Sequence, residues 1–331
     1  MKIIEDKVLC QNPLVSVYCK VYNQEKYVKN CIESVVNQKT NFDYEIIVHD
    51  DCSTDGTRQI LQDYQKKYPQ KIKLLLQDEN QFSQNVNMNV KYIFPEARGK
   101  YIASCEGDDY WLDMCKLQKQ VDFLENNQEY VACVHNSRRL NLHSGEEDIM
   151  YQQNGDYDIQ FVDVIQGGGC CYQSASLMRR RETIYNLPSF FDIVSFYGDY
   201  TTAIYLTTLG KVRFLDQVMS VYRLFADGSL VLQSEKIDKK KKIDRYEKTC
   251  KMLQAVDDYT EKKYEQEIQN VIRRNKYMIE EYSGNYNKLS KEPYRAIYME
   301  HEWKYRVKVF LKGHMMGVYL LYQKIRYGKD K

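Results

Sequence analysis

Two apolar runs that each end in a crowd of carboxylates constrain this chain more than any other feature. They are Glu45-Ile46-Ile47-Val48-His49-Asp50-Asp51, and Tyr101-Ile102-Ala103-Ser104-Cys105 leading into Glu106-Gly107-Asp108-Asp109-Tyr110-Trp111. Short β-branched runs of this kind read as buried strands. Carboxylates bunched where such a strand opens into a loop repel one another and resist desolvation, so they are tolerated where a cation or a polar ligand compensates them. A metal-dependent nucleotide site is the leading reading.

The first two thirds of the chain alternate between two periods. Leu14 to Cys19, Tyr44 to Val48, Ile72 to Leu76, Tyr101 to Cys105 and Val131 to Val134 read as strands. Between them, Tyr27 to Gln38, Thr57 to Tyr68, Asn87 to Ala97 and Met114 to Glu125 place apolar residues at helical spacing. Further on, Gly167-Gly168-Gly169 marks a loop, a helix runs from Phe196 to Thr208, and Val212 to Leu215 with Met219 to Tyr222 form a closing strand pair. Alternating strands and helices predict an α/β fold with a mostly parallel sheet covered on both faces. After Ser229 the composition turns charged, and Tyr246 to Glu281 and Glu292 to Arg326 read as long helices. The predicted organisation is a catalytic domain over 1–230 and a helical, basic extension over 231–331.

With 331 residues, 43% of them apolar, the chain can bury a sizeable core. Its net charge of +2 conceals an asymmetry of roughly −7 over residues 1–234 and roughly +9 over 235–331. An anionic membrane face or acceptor fits that tail better than sequence-specific nucleic acid. The ten cysteines form no CxxC pair, which points to reduced thiols and a cytosolic setting. The start of the chain lacks a signal-peptide core, and no stretch reaches the ~20 apolar residues that span a bilayer. A soluble or peripheral protein is expected.

Ligands of open parallel sheets bind beyond the carboxyl ends of the strands. Three segments meet that requirement: Lys20 to Asn23, the Asp50-Asp51 loop and the loop from Glu106 to Trp111. A nucleotide needs a flat partner for its base, acceptors for base and ribose, and a cation for its phosphates; Tyr22, Asp51 and the second acidic loop offer one of each. Competing structural roles stand beside these. Asp51, Ser53 and Asp55 could cap a helix, and Asp51 to Gly56 opens like a calcium loop, although Gln62 occupies its twelfth position. Glu106-Gly107-Asp108-Asp109 could be a solvated turn.

In order and spacing, Val15-Ser16-Val17 leading to Tyr22-Asn23, then Glu45 to Thr57, then Gly99-Lys100-Tyr101-Ile102 leading to Glu106 to Trp111 resemble a family-2 glycosyltransferase of the GT-A fold. The resemblance covers roughly the first 225 residues. It implies inverting transfer of a sugar from a nucleotide-diphosphate donor, usually UDP-linked. On that pattern Tyr22 stacks on the base, Asp51 accepts from its imide nitrogen, and Asn23, Asp50 and Gly107 belong to the donor side. Glu106 lies near the ribose or metal, Asp108 is the ligand of Mn²⁺ or Mg²⁺, and Asp109 supports it. Gln84 belongs to a further donor-side segment. Tyr197-Gly198-Asp199 matches the family's base position, with an N-cap as the structural alternative for Asp199, and Tyr110 and Trp111 are candidates for the acceptor side.

The chain departs from the family pattern in places. Lys20-Val21 replaces the usual Pro-Thr, and Leu224 to Ser229 lacks a histidine that often binds metal, with Asp227 a candidate substitute. No Gln-x-x-Arg-Trp motif is present, which favours addition of a single sugar. Arg179 to Arg181 fit either a phosphate of a lipid-linked acceptor or a solvated basic face. In the tail, Trp303, Val307, Phe310, His314, Val318 and Leu321 align on one helical face with Lys304, Lys308 and Lys312 displaced from it. That face suits a membrane interface, the catalytic domain or a second subunit in a homodimer. The family resemblance implies bacterial surface polysaccharide synthesis as the task. A metal-assisted phosphohydrolase or nucleotidyltransferase and a non-catalytic nucleotide-sugar-binding scaffold are the rival classes.

Overall fold

The computed structural model describes residues 1–152, 154–194, 198–229, 231–232 and 237–327. Two compact units emerge, Met1–Lys236 and Ile237–Lys331. The first begins with β1 (Lys2–Ile4), β2 (Val15–Val21), α1 (Val28–Val36), β3 (Tyr44–Asp50), α2 (Thr57–Lys67) and β4 (Ile72–Leu76). It continues with β5 (Tyr101–Ser104), β6 (Tyr110–Trp111), α3 (Lys116–Asn126), β7 (Tyr130–Asn141), β8 (Glu147–Ile149), β9 (Tyr157–Asp158) and α4 (Phe161–Gly167), then β10 (Met178–Arg180), α5 (Phe190–Ile193), α6 (Gly198–Leu209) and β11 (Lys211–Leu224).

One mixed sheet runs in the order β1-β4-β3-β2-β5-β10-β7-β11-β6, with β8 beside β7 and β9 beside β11. The longest pairings are parallel: β2 with β3, β3 with β4, β2 with β5, and β7 with β11. Strand β10 enters antiparallel between β5 and β7. The predicted α/β class is therefore the observed one.

Burial assigns the two faces of the sheet. Val15, Val17 and Cys19 of β2, Ile46 and Val48 of β3, and Tyr101 and Ala103 of β5 pack against Val28, Ile32 and Val35 of α1 and Leu117, Val121 and Leu124 of α3. The alternate residues Tyr18, Ile47 and Ile102 pack on the other face against Ile93, Phe94 and Ile184. Helix α1 forms because its apolar residues recur at spacings of three and four, which turns a continuous stripe toward the sheet.

Several elements differ from expectation. Residues 87–97 form a wide turn at Asn89–Ile93 passing into a tight one at Phe94–Glu96, because Pro95 supplies no amide to a helical ladder. The predicted closing strand pair is the single strand β11, with irregular register between Leu215 and Val218. Phe196 and Tyr197, expected at the start of a helix, lie outside the described residues, and α6 is described from Gly198. Arg179 and Arg180 are neither solvated nor phosphate-facing. Both are buried in β10, and Arg180 donates to the carbonyls of Tyr130 and Leu124 at 2.8 and 2.6 Å, while Arg181 donates to the Arg98 carbonyl.

The second unit is helical. Lys239–Tyr259 is capped by Asp238, whose carboxylate accepts the Lys241 amide, and Glu265–Tyr282, Arg295–Glu300, Trp303–His314 and Met316–Tyr327 follow. The expected single helix over 246–281 breaks at Thr260–Tyr264, where Glu261 and Lys262 adopt positive φ. Tyr277, Leu289, Ile297 and Val309 make a small core.

Candidate active site

Strands β2, β3 and β5 deliver their carboxyl ends to one cavity of about 640 Å³. The ladder continues past the formal strand ends: the Asp51 amide donates to the Val21 carbonyl, and the Cys105 and Gly107 amides to the carbonyls of Tyr18 and Lys20. This continuation places Glu106 beside Lys20, whose Nζ lies 3.5 Å from Glu106 Oε1. Tyr22, Asp51, Glu106, Asp108, Asp109 and Asp199 all line the cavity.

The carboxylates play unequal parts. Asp109 is buried and fully engaged, accepting from Gln173 Nε2 at 2.6 Å and from the Arg223 amide at 2.9 Å, so it ties the acidic loop to β11. Asp108 is half-buried; burial pushes its carboxyl up to about 6, Glu106 adds to the rise, and Arg223 and Lys20 oppose it. Asp109 is raised further by its complete burial and by Asp108. Glu106 accepts from Ser174 Oγ at 2.6 Å. Across the cavity, in the first turn of α6, Asp199 is open to the cavity space. The surrounding protein pushes its carboxyl up to about 6, with Glu106 raising it and Lys20 lowering it. Burial would lower Lys20, but Glu106, Tyr18 and Asp199 outweigh it and raise the ammonium above its ordinary range. Among the described residues, Lys20 and Arg223 are the cations that act on Glu106, Asp108, Asp109 and Asp199, a balance that suits a hard cation with oxygen ligands. Among the described residues no three His, Cys, Asp or Glu side chains gather closely enough to hold a metal alone.

Asp51 is 3% exposed, and its two oxygens accept the amides of Gln81 and Phe82 at 2.7 and 3.0 Å. It anchors the segment whose Asn80, Phe82, Asn87 and Asn89 form a wall of the cavity. The Tyr22 ring is 36% exposed at the cavity edge.

Other expected site residues lie elsewhere. Asp50 points to the opposite face of β3, where Arg58 Nε donates to it at 2.6 Å and the Ser53 amide at 3.1 Å; its carboxylate is consumed structurally. Asn23, at positive φ, accepts the Thr54 amide and joins two loops. Gln84 is exposed and donates to Glu79. Gly107 serves close packing, since a Cβ there would lie 2.3 Å from Gln24 Oε1. Trp111 is buried under the loop, donating to the Ala175 carbonyl at 2.9 Å with Lys116 Nζ 3.9 Å from its ring centroid. Tyr110 stacks beneath the Arg223 guanidinium. Neither lines the cavity. Asp227 is no substitute metal ligand, because it pairs with Lys26 at 2.7 Å in the open. The capping reading holds for Asp55, which accepts the Thr57 amide. Ser53 instead accepts from Asn23.

Sequence reasoning missed His49, Gln24, Gln173 and Ser174. His49 lines the cavity as a neutral imidazole, held down at about 4 by burial against the opposing pull of Asp51 and Asp50. Its signal was available, since it alternates with Asp50 along β3. Gln173 and Ser174 reach the site from a turn after the glycine loop, and no local pattern marks them.

A sheet whose strand ends open on an acidic, ligand-sized cleft is the arrangement of a ligand-binding α/β protein. Residues 16–185 match glycosyl transferase family 2, and the chain belongs to that family. The uncharacterized protein Rv1520 of Mycobacterium tuberculosis is 31% identical over 214 residues, 65% of this chain and 60% of the relative. The chain thus spans less than two thirds of that relative. The putative teichuronic acid biosynthesis glycosyltransferase TuaG of Bacillus subtilis is 38% identical over 112 residues, 34% of this chain and 42% of its own. Among solved structures, S. aureus TarS in complex with UDP-GlcNAc superposes with a TM-score of 0.59 at 16% identity, covering 95% of this chain and 92% of that one. The mannosyltransferase PcManGT of Pyrobaculum calidifontis, in complex with GDP-Man and Mn²⁺, gives 0.55 at 13% identity over 96% and 88%. These likenesses establish the GT-A fold.

Proposed function

We propose that this protein is an inverting, metal-dependent glycosyltransferase that moves a single sugar from a nucleotide-diphosphate donor, most simply a UDP-sugar, to a hydroxyl of a glycan or lipid-linked acceptor. The observation that carries this reading is the convergence of Tyr22, Glu106, Asp108 and Asp199 on one cavity. The ligands named in the TarS and PcManGT structures and the teichuronic acid biosynthesis in the name of TuaG support a nucleotide sugar, a divalent cation and bacterial polysaccharide assembly.

The division of labour follows from position. Tyr22 presents a ring to the base, and Asp51 holds the 80–90 wall against the nucleotide. Asp108, with Glu106 beside it and Asp109 fixing the loop, would hold Mn²⁺ or Mg²⁺, which when bound offsets the charge of the departing diphosphate. Asp199 takes the proton of the acceptor hydroxyl while that oxygen bonds the anomeric carbon and the sugar–phosphate bond breaks on the opposite side. One displacement of this kind inverts the carbon.

A panel of nucleotide sugars, assayed for nucleoside diphosphate release with and without Mn²⁺, tests the proposal. Metal-dependent release from one donor is the expected result. Donor-induced thermal stabilisation without release would replace the enzyme by a binding scaffold. Phosphate release from nucleotides with no sugar transfer would identify a phosphohydrolase.

A further inference from the structure

The helical unit carries an apolar surface that transfer chemistry does not use. Nine of the twenty large apolar side chains exposed among the described residues fall within residues 299–321, so the exposure is concentrated in one short stretch. On the helix Trp303–His314, Trp303, Val307 and Phe310 recur at spacings of four and three and are 64%, 47% and 49% exposed. Val309, on the far side, is 1% exposed and packs with Tyr277, Leu289 and Ile297. One face fixes this helix to its unit, and that unit leaves the other uncovered. The following helix adds exposed Val318, Leu320 and Leu321.

Charge identifies what such a face would meet. At 100° per residue, Lys304 borders one side of the Trp303–Phe310 line at about 90° and Arg306 the other at about 70°, with Lys308 farther round at about 130°. Lys304 Nζ lies 6.0 Å from the Trp303 ring centroid. Residues 301–331 hold eight Lys or Arg against two acidic residues. A second copy pairing through the same patch would bring like charges together, since a two-fold interface sets a surface against itself. Anionic lipid relieves both features at once: the apolar side chains enter the acyl boundary, while the lysines extend their stems to the headgroups. Among the described residues no helix is long and apolar enough to cross a membrane, so the contact would be interfacial.

We propose that the exposed face of Trp303, Val307 and Phe310, with Lys304 at its edge and Lys308 farther round the same side, docks on the surface of an anionic lipid bilayer. This surface goes beyond the transferase reading and does not depend on it.

Flotation of the full chain with vesicles of phosphatidylcholine alone, or with roughly 30% phosphatidylglycerol, tests the proposal without any donor. The expected result is binding to the anionic vesicles only, weakened at least about tenfold between ~0.1 and ~0.5 M salt. Each lysine near such a surface contributes roughly fivefold, so Lys304→Ala with Lys308→Ala should lower partitioning about 25-fold. Trp303→Ala with Phe310→Ala should lower it at least about tenfold, with melting behaviour and vesicle-free donor turnover unchanged in both variants. Equal binding to neutral vesicles, or wild-type partitioning by both variants, would overturn the inference. So would a loss of self-association in sedimentation velocity with vesicle binding intact, which would mean that a second copy covers the face.

Discussion

Asp199 offers the sharpest test of the proposed chemistry. Asn is nearly isosteric with Asp but accepts no proton, so Asp199→Asn should leave the first turn of α6 in place and remove only the base. Enclosure by the cavity wall, followed by Glu106, raises the Asp199 carboxyl from its ordinary value near 3.8 to about 6, with Lys20 opposing. A base acts in its ionised form, so a raised carboxyl loses competence as pH falls through that value. At pH 7 about nine tenths of the enzyme would be competent, and at pH 5 about one tenth. The wild-type kcat/KM should therefore fall about tenfold between those two pH values. Because Asp199 is exposed to the cavity, solvent screening of Glu106 can move the inflection down toward the ordinary value and not up. Nucleoside diphosphate release, followed with acceptor present across this range, gives the profile. The variant should turn over at least ~10²-fold more slowly and lack the inflection, while the donor still raises its melting temperature. Near-wild-type turnover, or an unchanged inflection in the variant, would refute the role of Asp199.

Asp108→Ala should lower turnover at least ~10²-fold and abolish the Mn²⁺-dependent part of donor-induced stabilisation; thermal shift with and without Mn²⁺ checks it, and a near-wild-type rate would reject the role. Lys116 is fully buried, its Nζ has no hydrogen-bond partner, and burial pushes it down from 10.5 to about 7. That shift corresponds to roughly 5 kcal/mol disfavouring the folded state, of which the Trp111 ring contact returns up to about 2. Lys116→Met should therefore stabilise the protein by about 3 kcal/mol at pH 7 and less toward pH 10, where the unfolded chain also gives up its proton; urea melts at the two pH values decide, and destabilisation at pH 7 would refute it. Gly107→Ala sets a Cβ 2.3 Å from Gln24 Oε1 and 3.0 Å from Val21 Cγ2. The displaced acidic loop should lower kcat at least about tenfold and stability by about 1 kcal/mol, whereas unchanged kinetics would show that Gln24 yields freely.

The α/β alternation was legible because β2, β3 and β5 are buried on both faces and so read as short continuous apolar runs, whereas α1 and α3 repeat buried residues with a period near 3.6. It failed where local rules lose to tertiary packing. No Gly or Pro announces the break at Thr260–Tyr264, and the turns at Asn89–Glu96 keep a helix-like apolar spacing even though Pro95 forbids the ladder. The run Arg179 to Arg181 looked like surface. Its burial depends on carbonyls of α3, β7 and the 97–98 turn, which are distant in sequence and give no local sign.

For the site, the sequence held more than residue type alone conveys. Side chains alternate across a strand, and the first core cluster contains Val17, Cys19 and Val21 of β2, Ile46 and Val48 of β3, and Tyr101 and Ala103 of β5 with Cys105 just beyond it. Extending each alternation beyond the strand end sends Lys20 and Tyr22, His49 and Asp51, and Glu106 to the other face, which is where the cavity lies. By the same rule Asp50 falls on the helix side, and there it meets Arg58 of α2. Consecutive carboxylates at a strand end therefore face opposite sides: parity turns Asp51 toward the cavity layer and Asp50 toward the helix layer. Parity stops where the ladder stops. Beyond Gly107 the loop turns on the bond from the Asp109 amide to the Glu106 carbonyl, and the separation of Asp108 from Asp109 is then set by Gln173 and β11, long-range partners that no strand period can reveal.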